Sequence, residues 1–362
     1  MRVLILSNSD EGIYRFRKEL LIRLLEMNNE VFVCCLNGEY VNKIKELGCN
    51  YILIEFDRKS MNPFKDLKIL NKYLNVLKEV GPDIVLTYTI KPNVYGGLAC
   101  QIKKISYICT ITGLGSAIEN GGILQKIALF LYKISIKKAK KVFFQNESNK
   151  TFMIKNGIVK ESDSVLVCGS GINLFEYNVL DYPNNCTIDF VYIGRVMEEK
   201  GFNQYIDCAK YVRENYPLTR FHVCGMYEDD YKEIIDDLEK KNILIYHGNV
   251  QDMINVIYKN IHCTIHPSYY AEGMSNVLLE SCACGRPIIT TNRPGCKEAI
   301  IDGYNGFVVN QKDSQDLIQK VVKFVKMPYE QKKQMGLNAR KFIEKDFDRK
   351  KVIDKYVEVI NS

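Results

Sequence analysis

The sequence predicts an α/β protein of two domains, each a Rossmann-like, doubly wound parallel sheet. Three observations lead there. The chain has 362 residues, more than one hydrophobic core usually spans. Short β-branched runs alternate with helix-period stretches along nearly its whole length, and that alternation builds parallel sheets covered by helices. It is interrupted at residues 169–185, where Gly-Ser-Gly leads into Asn, Asp and Pro, a composition suited to a linker.

Taken in order, residues 3–7, 31–36, 51–54, 84–87, 107–111 and 142–145 read as buried strands of the first domain. Helical periodicity is clearest at 14–27, 64–80 and 123–138. Beyond the linker, strands are expected at 190–193, 221–224, 243–246, 263–266 and 288–290. Helical patterns at 202–216, 230–240 and 276–284 separate them. The domains are therefore expected at 1–170 and 171–345, with a terminal helix, 346–362, packing back on the first. Ligands of such folds bind at the carboxyl ends of strands, here in a central cleft that the two domains face.

Hydrophobic residues make up 46% and charged residues 26%, which fits a globular chain and excludes a disordered one. The net charge of +7 is uneven: residues 1–165 hold 25 Lys+Arg against 16 Asp+Glu, the rest 25 against 27. A basic first half implies an anionic partner, such as a phosphorylated substrate or a membrane surface. No aromatic–basic motif points to nucleic acid. The 13 cysteines are scattered, form no Cys-x-x-Cys pair and share no metal spacing with the four histidines. That usage points to a reducing, cytoplasmic compartment. No signal-peptide pattern opens the chain, and no run approaches the ~20 apolar residues of a membrane span. Membrane contact would be peripheral, at the inner face of the cell membrane.

The strongest local signal is Glu272-Gly-Met-Ser-Asn-Val-Leu-Leu-Glu280, just after the strand that ends in His266-Pro267-Ser268. Ser275 and Asn276 are good N-cap residues, so a helix should start there and carry Val277 and Glu280. Its N-terminus would offer free backbone N–H groups and a positive dipole end to a phosphate. A carboxylate ahead of it can accept hydrogen bonds from sugar hydroxyls, and one just over a turn into it can hold ribose hydroxyls. The second signal is Tyr192-Ile-Gly-Arg195-Val-Met-Glu-Glu-Lys200-Gly201. It sets two cations at the carboxyl end of a strand, where they can neutralise a departing diphosphate. The third is the loop Ser7-Asn-Ser-Asp-Glu-Gly12-Ile-Tyr-Arg15-Phe-Arg17-Lys18. Gly12 can bring backbone close to a phosphate, but the loop lacks the Gly-x-Gly-x-x-Gly dinucleotide fingerprint.

These motifs, with Gly285-x-Pro287, Gly295-x-x-Glu298 and Asp302-Gly-x-Asn305-Gly306, resemble family 4 of the retaining GT-B glycosyltransferases. The resemblance implies that Arg195 and Lys200 bind the donor diphosphate, Glu272 faces the donor sugar and Glu280 holds the ribose. Gly12, Ser275, Asn276 and Val277 would also line the donor, and the loop Gly248-Asn249-Val250-Gln251 would meet its base through backbone. The first half is similar to members that act on undecaprenyl-diphosphate-linked sugars, through Gly12-Ile-Tyr-x-Phe-Arg17, Gly113-Leu-Gly-Ser116 and Asn146-Glu-Ser-Asn149. Arg15, Arg17, Tyr88, Lys91 and Gly113 are then expected on the acceptor or donor-sugar side. Many members carry a His in the loop after the fourth strand. Here Thr87-Tyr88-Thr-Ile-Lys91 has none, and Tyr88 or Lys91 would fill the space.

The implied reaction is retaining transfer of a hexose or N-acetylhexosamine. The donor is a nucleotide-diphosphate sugar, UDP in the first instance, and the acceptor a polyprenyl-diphosphate-linked saccharide. No cofactor and no metal are called for. Asp346-Phe-Asp348 spells a metal-binding Asp-x-Asp, but it falls where the terminal helix is expected. His222, His247, His262 and His266 lie in or beside apolar strands and read as core or edge residues. Lys126, Lys133, Lys137 and Lys140 recur at helical spacing around Leu129 and Phe130. That stretch suits either an anionic membrane surface or a buried helix with a solvated edge. Two rival readings cover part of the pattern. A nucleotide-sugar epimerase would need acid/base groups in the cleft, and a non-catalytic basic module would leave the Glu pair unexplained.

Overall fold

The computed structural model describes residues 1–57, 63–119, 121–184, 186–228 and 231–362. The first half runs β1 (Arg2–Leu6), α1 (Asp10–Glu26), β2 (Glu30–Cys35), α2 (Val41–Glu46), β3 (Asn50–Leu53), α3 (Pro63–Val80) and β4 (Ile84–Tyr88). It continues with α4 (Gly97–Lys103), β5 (Ser106–Ile111), α5 (Ser116–Glu119), α6 (Gly122–Ser135), β6 (Lys141–Phe144), α7 (Glu147–Lys155) and β7 (Ser164–Leu166). The second half runs β8 (Ile188–Ile193), α8 (Phe202–Asn215), β9 (Thr219–Cys224), α9 (Lys232–Lys240), β10 (Ile245–Tyr246) and β11 (Cys263–His266). After these come α10 (Asn276–Ala283), β12 (Ile288–Thr291), β13 (Gly306–Val309), α11 (Ser314–Lys326), α12 (Tyr329–Asp346) and α13 (Arg349–Asn361).

Among the described residues the strands form two sheets, ordered β3-β2-β1-β4-β5-β6-β7 and β10-β9-β8-β11-β12-β13. Neighbours pair in parallel, as where Val3 lies between Val31 of β2 and Ile84 of β4. Strands buried on both faces need apolar residues at every position, and β4 and β8 are buried throughout. In the first sheet Leu4, Leu6 and Val85 face one core, while Val3, Ile5 and Leu86 face the other. The α/β class with two Rossmann-like sheets is thus as the sequence predicts.

The helices form where apolar periodicity and a cap coincide. In α1, Ile13, Leu20, Leu21 and Leu24 share the buried face, and the Ser9 hydroxyl accepts the Gly12 N–H at 3.0 Å. Asn146 caps α7 by accepting the Asn149 N–H at 2.7 Å. The helix expected at 123–138 stops at Ser135, so Lys137 and Lys140 lie beyond it rather than on its face. The strand expected at 243–246 is reduced to Ile245–Tyr246. Asp230, at the start of the expected helix 230–240, and Asn185 in the linker lie outside the described residues.

The chain divides into two compact units. One comprises Met1–Ser170, Ala271–Met274 and Lys350–Ser362, and the other Gly171–Tyr270 with Ser275–Arg349. The short segment Ala271–Met274 thus leaves the stretch 171–345 and joins the first unit. A backbone clasp described below is the reason. Helix α13 also belongs to the first unit, where the Tyr356 ring stacks on Phe143 at 4.2 Å and its hydroxyl meets Thr110 Oγ1 at 2.7 Å. Instead of one terminal helix from 346, α12 ends and α13 begins around buried Phe347, which puts Asp346 and Asp348 at a joint.

Candidate functional site

Each sheet reverses its strand order once near its centre, between β1 and β4 and between β8 and β11. Loops leaving neighbouring strands there diverge to opposite faces, which opens a crevice at the carboxyl edge.

In the second unit, Arg195 follows β8 directly, and the Tyr192 hydroxyl donates to its carbonyl at 2.7 Å. Lys200 ends a short 3-10 turn, and Gly201 follows at φ +74°. A Cβ on Gly201 would fall 2.1 Å from the Pro267 carbonyl oxygen, so only glycine lets the loop after β8 lie against the loop after β11. The consequence is a convergence of cations. The Arg195 guanidinium carbon stands 5.5 Å, and the Lys200 ammonium 5.2 Å, from the ring centroid of Tyr270. One aromatic ring attracts both. Arg195 also has Glu228 at 3.8 Å, with both side chains about half exposed, a contact of little energetic weight.

Helix α10 presents its N-terminus in the loop after β11. Ser275 occupies the N-cap position but makes no side-chain cap bond. Its hydroxyl lies 3.2 Å from His266 Nε2 instead. The first-turn N–H groups therefore keep their capacity for an anion. The Asn276 side-chain oxygen is buried without a hydrogen-bond partner. Glu280 accepts a 3.2 Å hydrogen bond from the buried Tyr258 hydroxyl, whose acidity burial suppresses strongly. Val250 and Val277 both pack on a small core of Val191, Ile193, Cys224 and Ile257, while Asn249 between Gly248 and Val250 is exposed.

In the first unit the candidate residues fare differently. The Gly12 N–H is taken by Ser9, and the Asp10 carboxylate accepts the Tyr40 N–H at 2.9 Å. Gly12 thus has no N–H to spare for a phosphate, and its missing side chain leaves only space. Arg15 pairs with Glu11 at 3.2 Å on the surface. Arg17 is only 6% exposed. Its guanidinium lies 4.7 Å over the Tyr88 ring, Nη1 donates to the Phe16 carbonyl at 2.8 Å, and Nε has no partner. Among the described residues no carboxylate pairs with it. Burial holds the Tyr88 phenol in its neutral form. Lys91 is committed elsewhere: it reaches Asp66 at 2.7 Å and the Asp57 carbonyl at 2.9 Å. Its charge anchors the loop after β4 to α3 and is not available to a ligand.

Glu272 is held through its backbone. Gly113 adopts φ +148°, and a Cβ there would come within 3.0 Å of the Ala271 carbonyl oxygen. A Cβ on Gly273 would strike the Gln145 side chain at 2.3 Å and the Thr112 carbonyl at 2.5 Å. Asn146 donates its amide to the Gly273 carbonyl at 2.5 Å and to the Glu272 carbonyl at 3.4 Å. Two glycines and one Asn thereby clasp residues 271–273 to the loops after β5 and β6. Sequence reasoning singled out Gly113 and Asn146 without this role. It missed Tyr270 and Tyr258, although the Tyr269-Tyr270 pair at a strand's carboxyl end was a usable signal. Among the described residues no group of three His, Cys, Asp or Glu side chains is placed to hold a metal ion, and no helix is long and apolar enough to cross a membrane.

Residues 184–342 match the family "Glycosyl transferases group 1", and residues 2–146 match "Glycosyl transferase 4-like". The N,N'-diacetylbacillosaminyl-diphospho-undecaprenol alpha-1,3-N-acetylgalactosaminyltransferase of Campylobacter jejuni is 30% identical over 89% of this chain and 88% of its own length. The capsular polysaccharide biosynthesis glycosyltransferase CapM of Staphylococcus aureus is 26% identical over 78% of each chain. Among solved structures, Anabaena HepE in complex with UDP and glucose superposes with a TM-score of 0.80 over 100% of both chains at 16% identity, a likeness of fold.

Proposed function

The chain belongs to the group 1, family 4-like glycosyltransferases, and from that premise we propose that it moves a sugar from a UDP-sugar to a polyprenyl-diphosphate-linked saccharide with retention of anomeric configuration. The observation that carries the donor side is the convergence of Arg195 and Lys200 on Tyr270, in the same unit as the uncapped N-terminus of α10. Two cations gathered at one aromatic ring, and a helix N-terminus without a side-chain cap, match the charge of a diphosphate. Glu280 then takes the ribose hydroxyls and the backbone of Gly248–Val250 the base. Glu272, four residues ahead of Asn276, faces the sugar.

In this reading the bond between the anomeric carbon and the leaving diphosphate oxygen breaks while the acceptor oxygen bonds to the same face of that carbon. Arg195, Lys200 and the α10 amides stabilise the charge that develops on the diphosphate. The departing phosphate oxygen takes the acceptor proton, so no separate base is required. Protein cations serve where other transferases use a metal, and the reaction runs without one.

The acceptor side rests on Arg17, a buried guanidinium with an unbonded Nε and no carboxylate partner among the described residues, which fits an anionic group. The undecaprenyl-linked substrate named for the Campylobacter relative supplies the class of acceptor. Helix α6 supplies a membrane contact. Ile123, Ile127 and Phe130 are 77%, 50% and 62% exposed, and Lys126 and Lys133 are exposed on the same helix. Apolar residues and cations on one exposed face suit an anionic bilayer.

A thermal-shift screen of UDP- and GDP-sugars tests the donor. A UDP-sugar at a hundred times its Kd should add about 2.7 kcal/mol of stability. If GDP-sugars stabilise the protein and UDP-sugars do not, the assignment of the base is wrong.

A further inference from the structure

Beneath the loop assigned to the donor base lies a chain of titratable groups that the proposed chemistry does not use. Asp189 on β8 is buried, with its side chain 4% exposed. Its carboxylate accepts from Arg220 Nε at 2.6 Å, from His222 Nε2 at 3.0 Å and from the Thr187 hydroxyl at 3.0 Å. Burial alone would raise its pKa, but those donors hold it down at about 2. An ionised Asp189 only accepts, so His222 carries its proton on Nε2 and Nδ1 is left as an acceptor. His247 Nε2 lies 2.9 Å from that Nδ1, so His247 donates and its own Nδ1 is free of the clasp.

His247 ends the weakest strand of this sheet. β10 contributes two register pairs, Ile245 with His222 and Tyr246 with Val223, and has no outer neighbour in the sheet. His247 is also the residue before Gly248, whose carbonyl accepts the Gly225 N–H at 2.7 Å. A side-chain clasp thus joins β8, β9 and the end of β10, immediately before the stretch Gly248–Val250.

We propose that Asp189, His222 and His247 position the Gly248–Val250 backbone for the donor base, and that double protonation of the histidine pair opens this clasp and weakens donor binding. The proposal rests on the reading of that loop as the base site. A first added proton still leaves a single proton between the two facing nitrogens, so the contact holds. A second proton puts a donor on both facing nitrogens, and the 2.9 Å contact cannot survive. Burial and the neighbouring His222 charge lower the pKa of His247 below its ordinary 6.5, so the opening falls on the acid side of that value. The charged groups around the pair are Asp189, Arg220, Lys259, Asp181 and His262, which share an open cavity of about 730 Å³ with it, and Glu239, which acts on His247 from α9. His262 is itself held neutral. Its Nδ1 accepts the Asp189 N–H at 3.1 Å, its Nε2 donates to the Asn184 carbonyl at 2.8 Å, and burial lowers its pKa.

UDP binding to the full chain, measured by calorimetry between pH 5 and 8 and expressed as the ratio of variant to parent Kd, tests this, because the ionisation of UDP cancels in the ratio. His222→Gln keeps a donor for Asp189 and an acceptor for His247 but cannot be protonated. It should match the parent at pH 7.5 and bind UDP more tightly than the parent as the pH falls below 6.5. His247→Phe removes the hydrogen bond and keeps the ring. It should bind UDP about fivefold more weakly at pH 7.5, the worth of one net hydrogen bond, with an unchanged melting temperature as the check on folding. A constant ratio for His222→Gln across the range, or parent-like UDP affinity in a folded His247→Phe, overturns the proposal. Failure of the parent to bind UDP at pH 7.5 would instead refute the donor reading on which it stands.

Discussion

Tyr270 gathers two cations that one short motif supplies. Arg195 and Lys200 reach the same ring from the loop after β8, so a diphosphate placed there would meet both. The two glutamates should separate by kinetics. With Glu272 at the reacting sugar, as proposed, Glu272→Gln should lower kcat by about a hundredfold with little change in donor KM, as loss of a transition-state contact does. Glu280→Ala, at the carboxylate that Tyr258 holds and that is proposed to take the ribose, should weaken donor binding by about tenfold, the worth of one hydrogen bond to a charged group. Steady-state kinetics that show equal effects of both changes on kcat would refute the division of roles. Asp189 makes a prediction about stability. Its folded pKa of about 2 lies below the ordinary 3.8, so the stabilisation is complete above 3.8 and is lost as the pH falls through 2. Asp189→Asn should therefore destabilise the protein by about 2 kcal/mol at pH 7. In urea titrations that difference should shrink as the pH drops below 4. A pH-independent difference would mean that packing, not charge, is what Asp189 supplies.

At the scale of single elements, α6 shows what periodicity conveys and what it leaves out. The run 123–138 reads as a helix, but nothing in its spacing tells whether Ile127 and Phe130 face a core or water. The structure turns Tyr132 and Ser135 inward and leaves Ile123, Ile127 and Phe130 outside. It also ends the helix at Ser135, so the basic residues that matter on this face are Lys126 and Lys133 rather than Lys140. Each cation near an anionic bilayer contributes about 1 kcal/mol, and the exposed apolar side chains add burial in the headgroup region. Ile127→Asp with Phe130→Asp should release the protein from phosphatidylglycerol vesicles in flotation assays. Transfer to a lipid-linked acceptor should slow while melting temperature stays constant, since both residues are exposed. Unchanged flotation would show that α6 is not the membrane contact. The loops tell a similar story of partial legibility. Gly113, Gly273 and Asn146 stand in recognisable motifs, but the clasp they form needs two backbones brought within van der Waals reach, and sequence spacing carries no such distance. Lys91 shows the converse: a cation in the right loop is drawn off by Asp66, a residue that sequence gave no reason to pair with it.

At the scale of the molecule, strand–helix alternation conveyed both sheets, because a parallel strand buried on both faces must be apolar throughout. The strands it missed are short, three and four residues long. β7 is a partly buried edge strand and β13 opens on a glycine. The segment Ala271–Met274 joins the first unit because of the contacts its glycines permit, and a division by sequence position cannot anticipate that. The uneven charge was equally legible, and the reading proposed for it is an acceptor bearing a lipid diphosphate. In the proposed mechanism protein cations alone carry the departing diphosphate while the anomeric configuration is kept. The NMR coupling of the anomeric proton decides this, in product formed from an α-linked UDP-sugar and a polyprenyl-diphosphate saccharide in excess EDTA. An α-linked product is expected, formed at the same rate as without the chelator. A β-linked product, or none until magnesium or manganese is restored, would contradict it.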